Sequence, residues 1–565
     1  TGEIKVTRID TKNFPLEPAI FVSDQQEKIL RWIPDHHGER HIWVTLDKIP
    51  KIIQKAFIAA EDQRFWEHSG IDLLAIARAA KNNVIKKKIV SGASTITQQL
   101  VRLIYPHERN FYQKLIEAIR SLRVERELTK RQILELYLNR VPLGNNLIGI
   151  KAASGVYFGK TSTRISLPEA AILASLPKAP SLLNPYGKNI QRLIVRRNWV
   201  LERMYTLKFI SLDELNHAIN TPMLLKPKNF PFEAPHFVNY IIQGDKPKKS
   251  IQTTLNLNLQ KRLEKRIQAH RHRLSLKGAT QSALIVLENK TSAVIALVGS
   301  LSYAKNYLGF NNGVTALRSA GSTLKPFLFA KAIETGYTPS TILEDVEQNY
   351  SSPQGIYKPV NFNRTTYGPV QMRDALGNSL NQSAIFLLNR IGYSSFYKTL
   401  KSLNLINYPD RDADHYGLGL VVGNPEVNLL QLVSAYSSFA NNGKYRPARF
   451  RVDNPLQKRI QIYSNEASYI ILDVLSDPSA RTLTFGDFFN QKLPFKMAIK
   501  TGTSTNYRDS WIIGITPKYT VGIWVGNFDG SPTTGWSGAS AGGPILVDVM
   551  KELYPQKSTS FFQKP

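Results

Sequence analysis

Hydrophobic and polar positions follow two different periods along the chain. From Leu46 to about residue 218 the apolar residues recur at helical spacing. Ile52, Phe57 and Ala60 lead into a charged turn, and Ile133, Leu134, Leu136, Tyr137 and Leu138 form a second apolar face. This stretch is predicted to be mostly α. Pro222, Pro227, Pro231, Pro235 and Pro247 then interrupt any regular element and mark a linking region. Beyond it, Ser282–Glu288 and Ala293–Gly299 are short apolar runs flanking Asn289-Lys290-Thr291-Ser292, a hairpin signal. Three more strand-length runs follow at Met497–Thr503, Ser510–Thr516 and Tyr519–Gly526, with helical patterns such as Leu429–Phe439 between. The second half is therefore predicted to be α+β, with its first and last strands pairing in one sheet. The expected organisation is a connecting segment 1–44, a helical domain 45–218, a linker region 219–278, an α+β domain 279–550 and a C-terminal tail 551–565.

A chain of 565 residues has room for at least two cores, and its 42% hydrophobic and 21% charged residues are those of a globular protein. Lys and Arg total 73 against 43 Asp and Glu, a formal charge of +30 that calls for an anionic partner or surface. No DNA- or RNA-binding motif accompanies this charge, so nucleic acid is not expected. The absence of cysteine excludes disulfides, thiol nucleophiles and Cys-ligated zinc. No run of 18 apolar residues occurs and the chain opens Thr1-Gly2-Glu3, so an N-terminal membrane anchor is expected to be missing from it.

Candidate chemistry in the second half centres on Ser322-Thr323-Leu324-Lys325. Three residues along a helix put a hydroxyl and an amine on one face, about one turn apart. Gly321 permits a tight approach to the helix and Pro326 is tolerated in its first turn. The amine must be neutral to take the hydroxyl proton, which requires burial or nearby positive charge. Ser379-Leu380-Asn381 follows 57 residues later and Lys500-Thr501-Gly502-Thr503 178 residues after Ser322. Lys500 and Gly502 share one face of a strand, suiting a cation that holds a substrate carboxylate beside a residue whose missing Cβ lets substrate backbone approach. Ser379 and Asn381 can relay a proton and bond a substrate amide.

These three elements, in this order, resemble the penicillin-binding proteins, with further matches at Pro359–Phe362, Arg508–Trp511 and Trp524–Asn527. The resemblance implies that Ser322 attacks a D-Ala-D-Ala stem peptide with Lys325 as base and passes the acyl group to an amine. Ser379, Asn381 and Lys500 would assist, Thr501, Gly502 and Thr503 would bind substrate, and β-lactams would acylate Ser322. Ala320 stands where that family usually has proline.

In the first half, Glu61 lies four residues after Phe57, beside an apolar face, where partial burial would raise its pKa toward the range of a general base. Glu61–Gly70, Gly92–Gln99, Lys114–Glu117 and Lys130–Asn139 together resemble the lysozyme-like glycosyltransferase domain of class A penicillin-binding proteins. By that resemblance Glu61 activates the acceptor sugar 4-hydroxyl of lipid II, and Glu117 with Lys114 assists departure of the polyprenyl diphosphate. Asp62, Phe65, His68, Ser94, Thr95, Gln98, Gln99 and Lys114 would bind donor and acceptor. The family usually has Arg-Lys where this chain has Gln113-Lys114, so one diphosphate contact is expected to be either missing or replaced, with Arg120 the candidate replacement. A divalent cation, Mg or Mn, is plausible at this site, although no ligand cluster in the sequence marks it.

Ile71, Leu74, Ala77, Ala80 and Val84, followed by Lys86-Lys87-Lys88, read either as a basic amphipathic stretch for an anionic membrane or as a core helix ending in solvated lysines. The whole is identified as a bifunctional class A penicillin-binding protein. The resemblance implies glycan strands, stem peptides and other wall-synthesis proteins as partners, and catalytic domains on the extracytoplasmic, periplasmic side of the cytoplasmic membrane. Two rival readings use the same residues: a penicillin-binding scaffold with one silent domain, and a serine D,D-carboxypeptidase.

Overall fold

The computed structural model describes residues 14, 16, 19–85, 93–108, 110–243, 249–305, 308–352, 355–485, 495–556 and 561–565. Two compact units emerge, one built chiefly on Arg31–Pro231 and the other chiefly on Ile251–Pro565. The expected connecting segment and linker are shared out between them. Residues 31–44 belong to the first unit, and the helices Pro235–Ile241 and Leu257–Ala269 belong to the second. Among the described residues no helix is long and apolar enough to cross a membrane.

The first unit is helical. Its central helix, Lys51–Glu61, buries Ile53, Ala56, Phe57 and Ile58 and packs against Leu167–Ser175 and Ile190–Thr206. Local sequence sets several helix starts. Thr95 caps Ile96–Ile104 and Thr129 caps Lys130–Arg140, each by a reciprocal box with a glutamine three residues on. Asn139, buried on the Lys130–Arg140 helix, pairs both amide atoms with the Val44 backbone at 2.8 Å, and Glu135 accepts the Leu46 amide at 2.8 Å. The approach to the central helix is thereby fixed.

The second unit is built on a five-stranded antiparallel sheet. Its order is Ala498–Thr503, Asp509–Ile515, Tyr519–Gly526, Gln281–Glu288, Ala293–Val298, so the predicted hairpin and the three late strands do meet in one sheet. Almost every strand residue is buried because both faces are covered. Gly538–Leu553 lies on one face, with Leu546 against Gly514, and Leu429–Ala440 on the other, with Val433 against Gly522. Lys325–Glu334 and Asn465–Ser476 complete the second layer.

Candidate active sites

Glu61 is the last residue of the central helix of the first unit. One carboxylate oxygen, Oε2, accepts from Gln99 Nε2 at 2.8 Å, while Oε1 is enclosed without a hydrogen-bond partner. Gln99 is held by the Tyr137 hydroxyl, which donates to its Oε1 at 2.9 Å. Burial pushes the Glu61 pKa up, and Gln99 together with the charges of Arg196, Lys178 and Arg102 opposes that rise without cancelling it.

Glu117 sits in the opposite environment. Fully buried on the helix Phe111–Glu127, it is ringed by cations. Lys114 donates to Oε1 and also to Ser94 Oγ at 2.9 Å, while Arg102 lies 3.6 Å and His107 3.3 Å from Oε2. Arg102 thus acts on both carboxylates and brings them into one site. Neither Arg102 nor His107 stood out in the sequence, because a single cation on a helix or in a loop has no distinguishing pattern. Arg120, the candidate replacement for the missing arginine, stacks 4.7 Å over the Tyr105 ring instead.

The other predicted residues of this unit brace the site. Asp62 takes His68 Nε2 at 3.0 Å on both oxygens and caps Ile96–Ile104 by accepting the Ile96 amide at 2.9 Å. His68 Nδ1 accepts from the Gly70 amide, so Nε2 carries the proton toward Asp62. Thr95 donates to the Gly70 carbonyl at 2.7 Å and shares its capping box with Gln98. Phe65 is wholly buried, with Lys130 4.5 Å over its ring. Of the ten predicted residues, Gln99, Ser94 and Lys114 gather around the two carboxylates, Glu61 and Glu117. Asp62, Phe65, His68, Thr95 and Gln98 form the wall behind them.

In the second unit Ser322 stands in a 3₁₀ turn, Gly321–Leu324, immediately before the helix that starts at Lys325. Gly321 has φ +53°, and a side chain there would drive Cβ to 2.7 Å from the Thr503 carbonyl, so only glycine serves. Lys325 is completely buried; its amine donates to the Ser379 carbonyl and to Asn381 Oδ1, each at 2.6 Å. Burial, reinforced by the charge of Lys500, pushes the Lys325 pKa well down, and Asp345 opposes this. Lys500 donates to Ser379 Oγ at 2.8 Å and to the Thr501 carbonyl at 2.6 Å, and burial brings its pKa down to about 7. Both amines are therefore poised to lose a proton. Ser379 holds its central place with φ +59°, a strained conformation for a residue bearing Cβ.

Two details depart from the geometry expected of the Lys500–Thr503 strand. Lys500 is 3% exposed although its strand is the sheet edge, and its amine is spent on Ser379 and on its own strand rather than held out for a carboxylate. The missing Cβ of Gly502 makes room for the enzyme itself, because a Cβ there would meet Thr323 Cγ2 at 2.6 Å. Thr501, Gly502 and Thr503 do line a cleft of about 750 Å³ that also exposes Ser322, Ser379 and Asn381.

Behind this cleft runs a buried polar chain that the three motifs do not announce. Asp345, inaccessible to solvent, accepts from Asn361 Nδ2 at 2.7 Å and Ser383 Oγ at 2.9 Å. Asn361 Oδ1 in turn accepts the Asn381 amide at 2.7 Å, and Asn381 Nδ2 donates to the Val360 carbonyl at 2.8 Å. The Asn381 carboxamide is fixed with its oxygen on Lys325.

The two sites correspond to two family models, described as Transglycosylase over residues 26–205 and Penicillin binding protein transpeptidase domain over residues 282–551. Penicillin-binding protein 1C of Escherichia coli is 36% identical over 539 residues, covering 94% of this chain and 68% of that protein. The chain belongs to the class A penicillin-binding proteins. Penicillin-binding protein 1A of Aquifex aeolicus is 30% identical, covering 92% of this chain and 85% of its own length. The fold is shared with the crystal structure of penicillin-binding protein 1A from Haemophilus influenzae, at a TM-score of 0.69 and 20% identity, over 98% of this chain and 94% of that one. As a class A penicillin-binding protein the chain is a bifunctional cell-wall synthase, a peptidoglycan glycosyltransferase and a D-Ala-D-Ala transpeptidase acting on lipid II and stem peptides and open to β-lactams. Nothing in these likenesses favours a silent-domain scaffold or a carboxypeptidase.

Proposed function

We propose that the polymerising reaction runs between Glu61 and Glu117. The acceptor 4-hydroxyl attacks the donor sugar C1, its proton passes to Glu61, and the C1–oxygen bond breaks with its electron pair leaving on the diphosphate. The observation that carries this is the contrast between the carboxylates. Glu61 has its pKa raised by burial, as a base requires, and Glu117 organises Lys114, Arg102 and His107 where negative charge accumulates. A divalent cation at this site would ride on the diphosphate. Among the described residues no group of three His, Asp or Glu side chains could hold one, and Glu117 is already occupied by cations.

Cross-linking then falls to Ser322. Its Oγ attacks the peptide carbonyl, terminal D-alanine leaves, and an amine from a second stem releases the acyl group. Neutral Lys325 takes the serine proton, held for that task by Ser379 and Asn381, and Lys500 delivers a proton through Ser379 Oγ toward the leaving amine.

The membrane surface is the proposed partner of the first unit. Leu73, Leu74 and Ile76 are exposed at the start of Leu73–Ile85, which supports the membrane reading over the core-helix one, and Phe111, Tyr112 and Leu115 are exposed on the helix that carries Glu117. Large exposed apolar groups on two helices suit a lipid-borne substrate. Lys86-Lys87-Lys88 lie outside the described residues. The catalytic units would work on the extracytoplasmic face, where the wall is assembled, and other wall-synthesis proteins would be met there.

Product analysis tests the assignment. Ser322→Ala should lose β-lactam labelling and cross-links but polymerise lipid II, while Glu61→Gln should lose polymerisation by about 10²–10⁴-fold and still bind β-lactam. Loss of polymer in the serine variant would refute the separation of roles.

A further inference from the structure

His107 belongs to none of the four sequence elements of the first unit, yet its geometry is unusual. Its Nδ1 lies 2.9 Å from the Glu108 carbonyl, an acceptor only, so Nδ1 carries a hydrogen. In a neutral imidazole Nε2 is then a lone pair. That lone pair would face Glu117 Oε2 at 3.3 Å, deep in the site, with His107 side-chain exposure of 9% and Glu117 of 0%. The two atoms make no hydrogen bond in this geometry and stand at ion-pair distance, where a lone pair facing a carboxylate oxygen is repulsive. The other side chains on the pair are all cationic: Arg102 from the preceding helix reaches the same oxygen, and Lys114 holds Oε1. A positive charge on the imidazole would turn that repulsion into attraction and make His107 a third cation on the carboxylate beside Arg102 and Lys114.

We propose that His107 is a protonated, pH-dependent member of the diphosphate pocket, supplying the positive charge that this chain lacks at Gln113. Resting on the reading of the first unit as the polymerisation site, the inference adds a specific consequence. With His107 as imidazolium the cluster of Lys114, Arg102, His107 and Glu117 carries a net charge of +2; with neutral His107 it carries +1 and sets a lone pair against the carboxylate. The ligand matched by the higher charge is the diphosphate of a polyprenyl-linked sugar. The cation strengthens as the C1–oxygen bond yields its electron pair to the diphosphate, and no proton transfer from His107 is needed. Histidine is the side chain whose charge changes within the working pH range, so affinity for the donor is tied to pH.

The experiment measures KM and kcat for lipid II polymerisation by the full chain across pH 6 to 9, for wild type, His107→Gln and His107→Lys. Circular dichroism and the thermal melt of the full chain, compared with wild type, report that the first unit of each variant is folded. The expected result is a wild-type KM that rises by about tenfold toward alkaline pH, the worth of one charge-assisted hydrogen bond. His107→Gln should show the weak KM at every pH, and His107→Lys the tight KM at every pH. A wild-type pH profile in His107→Gln overturns the proposal, as does equal loss in His107→Gln and His107→Lys at every pH, which would make the contact merely structural. Glu61→Gln separates the two claims: full polymerisation by that variant would sink the site assignment itself, whatever His107 does.

Discussion

The two units solve one problem with opposite charges. In the first, burial acts on an acid and lifts Glu61 toward neutrality; in the second, burial acts on amines and brings Lys325 and Lys500 down toward it. Each desolvated group then bonds to neutral partners that orient it, Gln99 for Glu61 and Ser379 with Asn381 for the lysines. Where counter-charge is in direct contact it marks a different task. Glu117 is surrounded by cations and suits charge stabilisation, whereas Asp345 is kept behind Asn361 and reaches Lys325 only through the field. Glu61 and the two lysines thus bond directly to neutral partners and feel full charges only through the field, while Glu117 is in direct ion-pair contact with cations.

The sharpest way to break this comparison is Lys500→Met. Acylation of Ser322 by β-lactam should fall by about 10²–10⁴-fold, as for loss of a proton-transfer group. Stability should move the other way. The folded pKa of Lys500, about 7, lies below its ordinary 10.5, so between these values the unfolded chain binds the extra proton and stability rises with pH, being lost as pH falls toward 7. The variant should unfold at a higher temperature than wild type at pH 7, with that advantage shrinking toward pH 10. Calorimetry at both pH values checks it, and a lower melting temperature at pH 7 would show that the bonds to Ser379 and Thr501 outweigh desolvation.

Gly502→Ala comes next, testing whether the strand is fitted to the nucleophile segment or to substrate. A Cβ at 2.6 Å from Thr323 Cγ2 must displace the Ser322 turn, and a shift of about 1 Å costs on the order of 10²-fold in rate. Slowed acylation with unchanged polymerisation is expected from stopped-flow labelling; unaltered acylation would mean that the turn yields freely.

The smallest effect belongs to Gln99→Ala. Its bond lowers the Glu61 pKa, so its removal lets burial raise that pKa further. Because Glu61 must be ionised to accept a proton, the acid limb of the polymerisation profile should move to higher pH by about one unit, the worth of one hydrogen bond to a charged group. A limb that stays in place would put the titrating base elsewhere.

Much of the second unit was legible because its signals are local and repeated. Five apolar runs of strand length became five strands within a residue or two of the expected limits, and Ser322, Lys325, Ser379, Asn381 and Lys500 converge on one cleft. What those residues do to one another was less legible. Lys500 reads as a free cation along the strand, and only the packing around it shows an amine drawn inward. In the first unit the motif residues divide into Glu61, Gln99, Ser94, Lys114 and Glu117 at the candidate site and Asp62, Phe65, His68, Thr95 and Gln98 behind it. The same short motif supplies both sets, so no spacing rule separates them. Arg102 and His107 carried no signal at all, since their importance lies in which carboxylate they approach.

The amino-acid sequence alone determined the two-domain architecture and the helical and α+β classes, and it singled out Ser322, Glu61 and Glu117 as candidates. Periodicity, capping and motif order are properties of the covalent chain, and each is read within a few residues of its cause. Tertiary structure decided which side chains lost water and which distant charges they met. Those two quantities raise the Glu61 pKa, lower that of Lys325 and put Glu117 at the centre of a cationic pocket. Desolvation and electrostatic fields depend on everything packed nearby, whatever its place in the chain.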